Sequence, residues 1–211
     1  MLVKICGITR LVDAQAAVDC GARALGFVFW PKSPRFIDPY RARVIAAMLP
    51  PFVVPVGVFV DQDAEYVNAV ASLVPLGAVQ LHGSEDVAFA TSLTRPVVRA
   101  VSSAEPSVAN AWPDRVTLLL DSGDPARRGG TGARADWRGA AALAEKRRLI
   151  LAGGLTPENV AGAVAEVRPF GVDVSSGVER APGIKDHDRL RAFMAALGSE
   201  CSVPGAMERS R

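Results

Sequence analysis

The sequence predicts an α/β protein of the (β/α)₈, or TIM-barrel, class in a single domain, and three observations carry that expectation. A short apolar, β-branched run returns eight times along the chain. A helical pattern follows these runs, and alternation of this kind demands a parallel sheet. Glycine-bearing turns follow the last two runs, where barrels of this class commonly bind phosphate.

The runs are LVKIC (2–6), ALGFVF (24–29), VVPVGVFV (53–60), AVQLH (78–82), PVVRAV (96–101), TLLLD (117–121), LILAG (149–153) and GVDVSS (171–176). Near-continuous Val, Ile and Leu marks strands buried on both faces. Between them, Asp38 with Pro39 reads as a cap with proline at the first helical position, and Thr156 with Pro157 repeats the device. Ser84 precedes an acidic first turn at Glu85 and Asp86, and Asp186 opens a last helix that stops at Gly198. The competing fold is a doubly wound open sheet. It would show a glycine-rich fingerprint after the first strand, and CGIT is not one. The barrel is expected over residues 1–199; the Pro/Gly-broken, charged segment 200–211 reads as a disordered tail.

Composition narrows the function classes. Of 211 residues, 49% are hydrophobic and 22% charged, as in a packed globular chain. Lys plus Arg number 24 and Asp plus Glu 22, and the charges are scattered, so no basic stripe offers a footprint for nucleic acid. The longest uncharged stretch, Val44 to Val60, is broken by Pro50, Pro51 and Pro55, which excludes it as a membrane span. Lys4 and Arg10 interrupt what would have to be an apolar signal core, so a cytoplasmic protein is expected. The three cysteines, Cys6, Cys20 and Cys201, have neither metal spacing nor an even count, and are expected to be reduced.

In such barrels the chemistry sits at the C-terminal ends of the strands. After the seventh run, Gly153 and Gly154 let backbone approach an anion, and a helix opening at Thr156 would aim free N–H groups at it. After the eighth, Ser175 and Ser176 offer hydroxyls and Gly177 an amide. Either loop alone is a tight turn; the pair points to a small phosphorylated ligand. The other polar strand-end residues are Cys6, Arg35, Asp61, His82 and Asp121.

A thiol and a carboxylate across a barrel mouth can serve as base and acid if both pKa values move toward neutrality. Lys4 shares a strand face with Cys6 and could lower the thiol, while burial would raise Asp121. Each has a plainer reading: Cys6 as a small residue filling a barrel layer, Asp121 as the cap of a turn, His82 as a histidine bonding backbone, Arg35 as a surface charge. The glycine-rich, basic stretch 122–137 reads either as a loose connection or as a lid that closes over an anion.

Taken in order, KICGIT, FVFWPKSPR, VGVFVD, VQLHGSED, LLLDS with GGTG, ILAGGLTPENV, and GVDVSSGVE with PGIKD resemble the motifs of the phosphoribosylanthranilate isomerases of tryptophan biosynthesis, over residues 3 to about 197. The resemblance implies a (β/α)₈ barrel that needs no metal and no organic cofactor. It implies an Amadori rearrangement of N-(5-phosphoribosyl)anthranilate to the 1-deoxyribulose 5-phosphate, with Cys6 as general base and Asp121 as general acid. Arg35 would face the anthranilate carboxylate, Gly154, Ser175, Ser176 and Gly177 would hold the phosphate, and Gln80 and His82 would line the pocket. Asp173 falls in a motif as a structural residue. One departure is Ala135, where a large side chain is usual before Asp136 and Trp137; it leaves a closed lid less well packed.

Three rivals differ in the residues they need. A metal-dependent sugar-phosphate epimerase needs several histidine ligands, and this chain has 2 histidines, His82 and His187. An indole-forming relative needs strand-end lysine and glutamates, whereas Glu85, Glu158 and Glu179 lie beyond the strands. A non-catalytic binder needs neither Cys6 nor Asp121. A monomer or a homodimer is compatible with the sequence.

Overall fold

The computed structural model describes residues 1–102, 106–121 and 137–198. Strands β1 (Leu2–Cys6), β2 (Ala24–Val28), β3 (Val54–Phe59), β4 (Ala78–Leu81), β5 (Val97–Val101), β6 (Thr117–Asp121), β7 (Leu149–Ala152) and β8 (Gly171–Val174) pair in sequence order and close into a barrel. Every barrel pairing is parallel, including the closure of β8 on β1, where Lys4 stands opposite Asp173. Each apolar run of the sequence is a strand, and the bounds agree to within two residues. Helices α1 (Leu11–Asp19), α2 (Pro39–Ala46), α3 (Ala64–Leu73), α4 (Val87–Thr91), α5 (Pro106–Asn110), α6 (Trp137–Ala144), α7 (Val160–Val167) and α8 (His187–Ala196) follow the strands one by one.

Strand alternation decides what reaches the site. Val3, Ile5, Leu25, Phe27, Val79, Leu81, Leu118, Leu120, Val172 and Val174 join one large core cluster with helix residues such as Ala14, Ala17 and Val67. Neighbouring positions must therefore face the barrel interior. Ala100, Leu119, Ile150 and Ala152 form one interior cluster; Cys6, Val28 and Val58 form another, with Trp30 packed against it. By the same alternation Lys4, Cys6, Gln80, His82, Asp121, Asp173 and Ser175 all lie on the inner face.

Helix starts follow the cap rules with one correction. Asp38 accepts the Tyr40 N–H at 2.9 Å ahead of Pro39, and Asp186 accepts from Asp188 and Arg189 at 3.0 Å each. The cap of α4 is Asp86, not Ser84: Asp86 accepts the Phe89 N–H at 2.7 Å, while Ser84 turns back to Asp61. The regular helix α7 starts at Val160, after a turn that Thr156 caps: its hydroxyl accepts the Glu158 N–H at 3.3 Å and its carbonyl the Val160 N–H at 3.1 Å, while Asn159 Oδ1 takes the Thr156 N–H at 2.8 Å.

A small antiparallel hairpin, β9 (Glu179–Ala181) with β10 (Ile184–Lys185), stands between β8 and α8 and was not foreseen from the sequence. Cys20 is disulfide-bonded, which corrects the expectation of reduced thiols at that position; Cys6 is free. Among the described residues no helix is long and apolar enough to cross a membrane. The expected lid, with Ala135 and Asp136, and the tail 200–211 lie outside the described residues.

Candidate active site

The C-terminal ends of the strands form one mouth, and its two sides are built differently. On the β1–β8 side, Lys4 Nζ reaches Asp173 Oδ1 at 2.9 Å in the barrel interior, with both side chains buried. Cys6 sits one step nearer the mouth on the same strand face. Room for the thiol comes from Gly26, its partner on β2: a Cβ placed there would lie 2.8 Å from Cys6 Sγ and 3.1 Å from Lys4 Nζ. One missing side chain thus lets ammonium and sulfur share a cavity.

The thiol does not move as the sequence implied. Burial pushes Cys6 above the ordinary thiol range, and Asp173 adds to the rise, while Lys4 and Lys185 pull against it. The Lys4 charge that shares the strand face is paired with Asp173, so it does not bring the thiol down. For Lys4 itself, burial opposes the charge, yet Asp173 and the Cys6 sulfur outweigh it and hold the pKa above the ordinary lysine range.

The chain turns after Cys6 at Gly7, whose φ is +76°. A side chain here would be strained by that backbone and would also strike Arg35 Cδ at 2.7 Å and approach Ser175 Oγ at 3.1 Å. Arg35 therefore crosses directly over the strand end. Its Nε lies 3.0 Å from each oxygen of Glu179 and its Nη2 lies 2.7 Å from Oε2, a bidentate pair. Glu179 also accepts from Lys185 Nζ at 2.8 Å.

The β4–β6 side is wetter. His82 Nε2 lies 3.4 Å from Asp121 Oδ2, with side-chain exposures of 37% and 35%, so the burial expected of Asp121 is only partial. Gln80 Nε2 contacts His82 Nδ1 at 3.0 Å. An amide N–H can only donate, so Nδ1 accepts and the neutral ring carries its proton on Nε2, facing Asp121. The histidine ring thus lies between Gln80, which it hydrogen-bonds, and Asp121. Asp61, grouped by sequence with these residues, is taken by Ser84, whose N–H and hydroxyl both donate to Oδ1.

The two glycine-bearing loops meet. A Cβ on Gly177 would fall 1.9 Å from the Leu155 carbonyl oxygen, so only glycine lets the loop after β8 pack on the loop after β7. Beside Gly154 the space is open, with nothing within 4 Å of an added Cβ. Asn159 braces this turn, donating to Gly154 O at 2.9 Å while accepting from Thr156. The Thr156 N–H, one of those a helix opening there would have left free, is thereby occupied. Among the described residues, no group of three His, Cys, Asp or Glu side chains is placed to hold a metal ion.

The profile of the N-(5'phosphoribosyl)anthranilate (PRA) isomerases matches residues 3–196. The chain belongs to this family. It is 52% identical over 195 residues to the N-(5'-phosphoribosyl)anthranilate isomerase of Geobacter sp. strain M21, covering 92% of this chain and 96% of that one. The Thermotoga maritima phosphoribosyl anthranilate isomerase superposes with a TM-score of 0.87 at 46% identity, over 94% of this chain and all of that one. A PRA isomerase crystallised with reduced 1-(o-carboxyphenylamino)-1-deoxyribulose 5-phosphate superposes at 0.82, also at 46% identity over 94% of this chain.

Within this member of the PRA isomerase family, sequence reasoning missed the pairing of Lys4 with Asp173, the pair Glu179 and Lys185, and Trp30 against the cluster of Cys6, Val28 and Val58. Alternation signalled that Lys4 faces inward. Nothing in the sequence signalled its partner, 169 residues away.

Proposed function

We propose that this chain carries out the isomerisation for which its family is named, with Asp121 as general acid and Cys6 as general base. The observation that carries the reading is that both side chains lie on the inner face at the same end of one closed parallel barrel. They end β1 and β6, three strands apart through β8 and β7, so one pentose can lie between them.

Asp121 protonates the ribose ring oxygen, the C1–O bond breaks, and the nitrogen lone pair forms the C1–N double bond of an iminium. The carboxylate left behind faces the His82 N–H, which steadies its charge. The iminium acidifies the C2 hydrogen, and Cys6 as thiolate removes it; the C–H electron pair forms the enolamine, and the former C1–N π pair returns to nitrogen. Proton return at C1 and loss of the C2 hydroxyl proton give the aminoketose. A thiol raised by burial suits this order. Despite Lys4 and Lys185 it is mostly protonated when the site is empty, so the thiolate that acts has first given its proton to solvent, and the developing iminium beside it is the added charge that favours the anion.

The phosphate is assigned to Gly153, Gly154, Ser175, Ser176 and Gly177, whose loops pack together and leave open space at Gly154. Ser175 Oγ and Gln80 Oε1 are buried without hydrogen-bond partners among the described residues, which fits a ligand rich in hydroxyl and N–H groups. Arg35 offers the remaining edge of its guanidinium to the anthranilate carboxylate. Trp30, packed against the cluster of Cys6, Val28 and Val58, gives an aromatic surface for the ring.

The test follows anthranilate fluorescence during turnover of phosphoribosylanthranilate by wild type, Cys6→Ser and Asp121→Asn. Each variant is expected to lose about a hundredfold or more in kcat. Wild-type rates in both would reject the assignment.

A further inference from the structure

The hairpin after β8 holds two buried charges that the proposed mechanism does not use. Lys185, 1% exposed, places Nζ 2.8 Å from Glu179 Oε1 and 3.2 Å from the Ser175 carbonyl. Glu179, whose side chain is 4% exposed, also accepts the Gly183 N–H at 3.2 Å across the hairpin turn. Its remaining bonds go to Arg35, 144 residues away in the loop after β2. The hairpin is itself fixed: the Lys185 N–H donates to Asp13 of α1 at 3.2 Å, and Thr9 donates to the Gly183 carbonyl. This is a braced unit, and leaving either of its charges alone in a low-dielectric site would be costly.

We propose that Glu179 and Lys185 are positioning residues for the isomerisation. Glu179 clamps one edge of Arg35 so that the other meets the substrate carboxylate, and Lys185 cancels the Glu179 charge while acting with its own on the Cys6 sulfur.

Glu179 occupies the Nε and Nη2 edge of the guanidinium, and among the described residues Nη1 has no hydrogen-bond partner. A planar guanidinium held by one edge presents the Nη1–Nη2 edge in a fixed direction, the geometry a second carboxylate needs. A carboxylate that aims Arg35 would also repel the incoming one. Lys185 removes that repulsion from inside the protein, where water cannot. The charges acting on the sulfur are Lys4 on its own strand, Asp173 on β8 and Lys185 on β10, with Glu179 and Arg35 behind Lys185. Burial raises the Glu179 pKa, and its bonds to Arg35 and Lys185 more than reverse this, so it is an anion in the working range.

The inference rests on the reading of Arg35 and Cys6 given above, and its test separates the two. The rate of Cys6 alkylation by iodoacetamide is followed against pH by peptide mass spectrometry, which needs no turnover, together with kcat and KM for phosphoribosylanthranilate. Lys185→Gln is expected to move the alkylation midpoint to higher pH and to slow alkylation at neutral pH several-fold; Lys185→Arg moves it back. Glu179→Gln is expected to raise KM on the order of tenfold, by more than it lowers kcat. No midpoint shift in Lys185→Gln, or an unchanged KM in Glu179→Gln, would overturn the proposal. If Lys185→Gln does not fold by circular dichroism, the Glu179→Gln KM decides alone. Absence of turnover in wild type would instead remove the functional reading and leave the Lys185→Gln alkylation shift standing or falling by itself.

Discussion

The two sides of the barrel mouth solve opposite problems. Around Cys6 the charges are matched, Lys4 with Asp173, Lys185 with Glu179, Glu179 with Arg35, and all of these side chains but the half-buried Arg35 are buried. Around Asp121 the groups are a third exposed and joined by an amide and an imidazole. A base that must hold negative charge next to carbon benefits from a dry cavity lined by ammonium groups. An acid that must regain a proton each cycle benefits from contact with water and a histidine. Under the roles proposed for Cys6 and Asp121, the asymmetry teaches that the base side is built for electrostatics, with stability at stake, and the acid side for proton exchange, with little stability at stake.

The largest expected effect strikes the dry side. Lys4→Met leaves Asp173 as a buried carboxylate without its partner, and urea unfolding is expected to show a loss of about 3–5 kcal/mol. His82→Asn on the wet side should cost less than about 1 kcal/mol in the same assay, since partly exposed ion contacts contribute little. Equal losses would break the comparison. Next comes Gly26→Ala, whose Cβ would press on Cys6 Sγ at 2.8 Å and on the Cys6 Cα at 3.1 Å. It should destabilise by about 1–3 kcal/mol and slow turnover by displacing the sulfur, while an alanine at exposed Gly162, where an added Cβ meets nothing, should do neither.

A smaller effect is expected in pH profiles. Because burial raises the Cys6 thiol, kcat/KM should keep rising with pH past the ordinary thiol range, and Asp173→Asn should move that limb to lower pH by removing one cause of the rise. The smallest effect concerns acid stability. Glu179 and Asp13 are buried, which alone would raise them, yet their partners, Arg35 and Lys185 for one, Arg10 and His187 for the other, hold both below the ordinary carboxylate range. A depressed folded-state pKa gives stability that is present above the unfolded value and lost as pH falls through the folded one. Thermal melts should therefore drop below about pH 4.5, and Glu179→Gln should flatten that drop.

The fold was legible because its signals are local. Eight apolar runs, their alternation and the caps at Asp38 and Asp186 each reside within a few residues. The inner-face placement of Lys4 and Cys6 was legible for the same reason. The hairpin was not: its strands have three and two residues, and ERAPGIK has no apolar periodicity to mark it. The charge pairing was not legible either, since Lys4 and Asp173, or Arg35 and Glu179, meet only once the barrel closes. The direction of the Cys6 shift failed with it, because that sign depends on how completely Asp173 and burial outweigh the ammonium beside the sulfur. At α7, Thr156 caps the turn as the sequence signalled, with Asn159 bonding back to its N–H, and the regular helix begins one turn later at Val160.

The central claim is that the sulfur at the end of β1 takes the sugar proton. Partial alkylation with iodoacetamide, with occupancy of Cys6 counted by peptide mass spectrometry and residual isomerisation measured on the same samples, tests it most directly. The account predicts that activity falls in proportion to the fraction of Cys6 modified, and that saturating substrate slows both losses together. Full turnover by protein whose Cys6 is completely alkylated would contradict it.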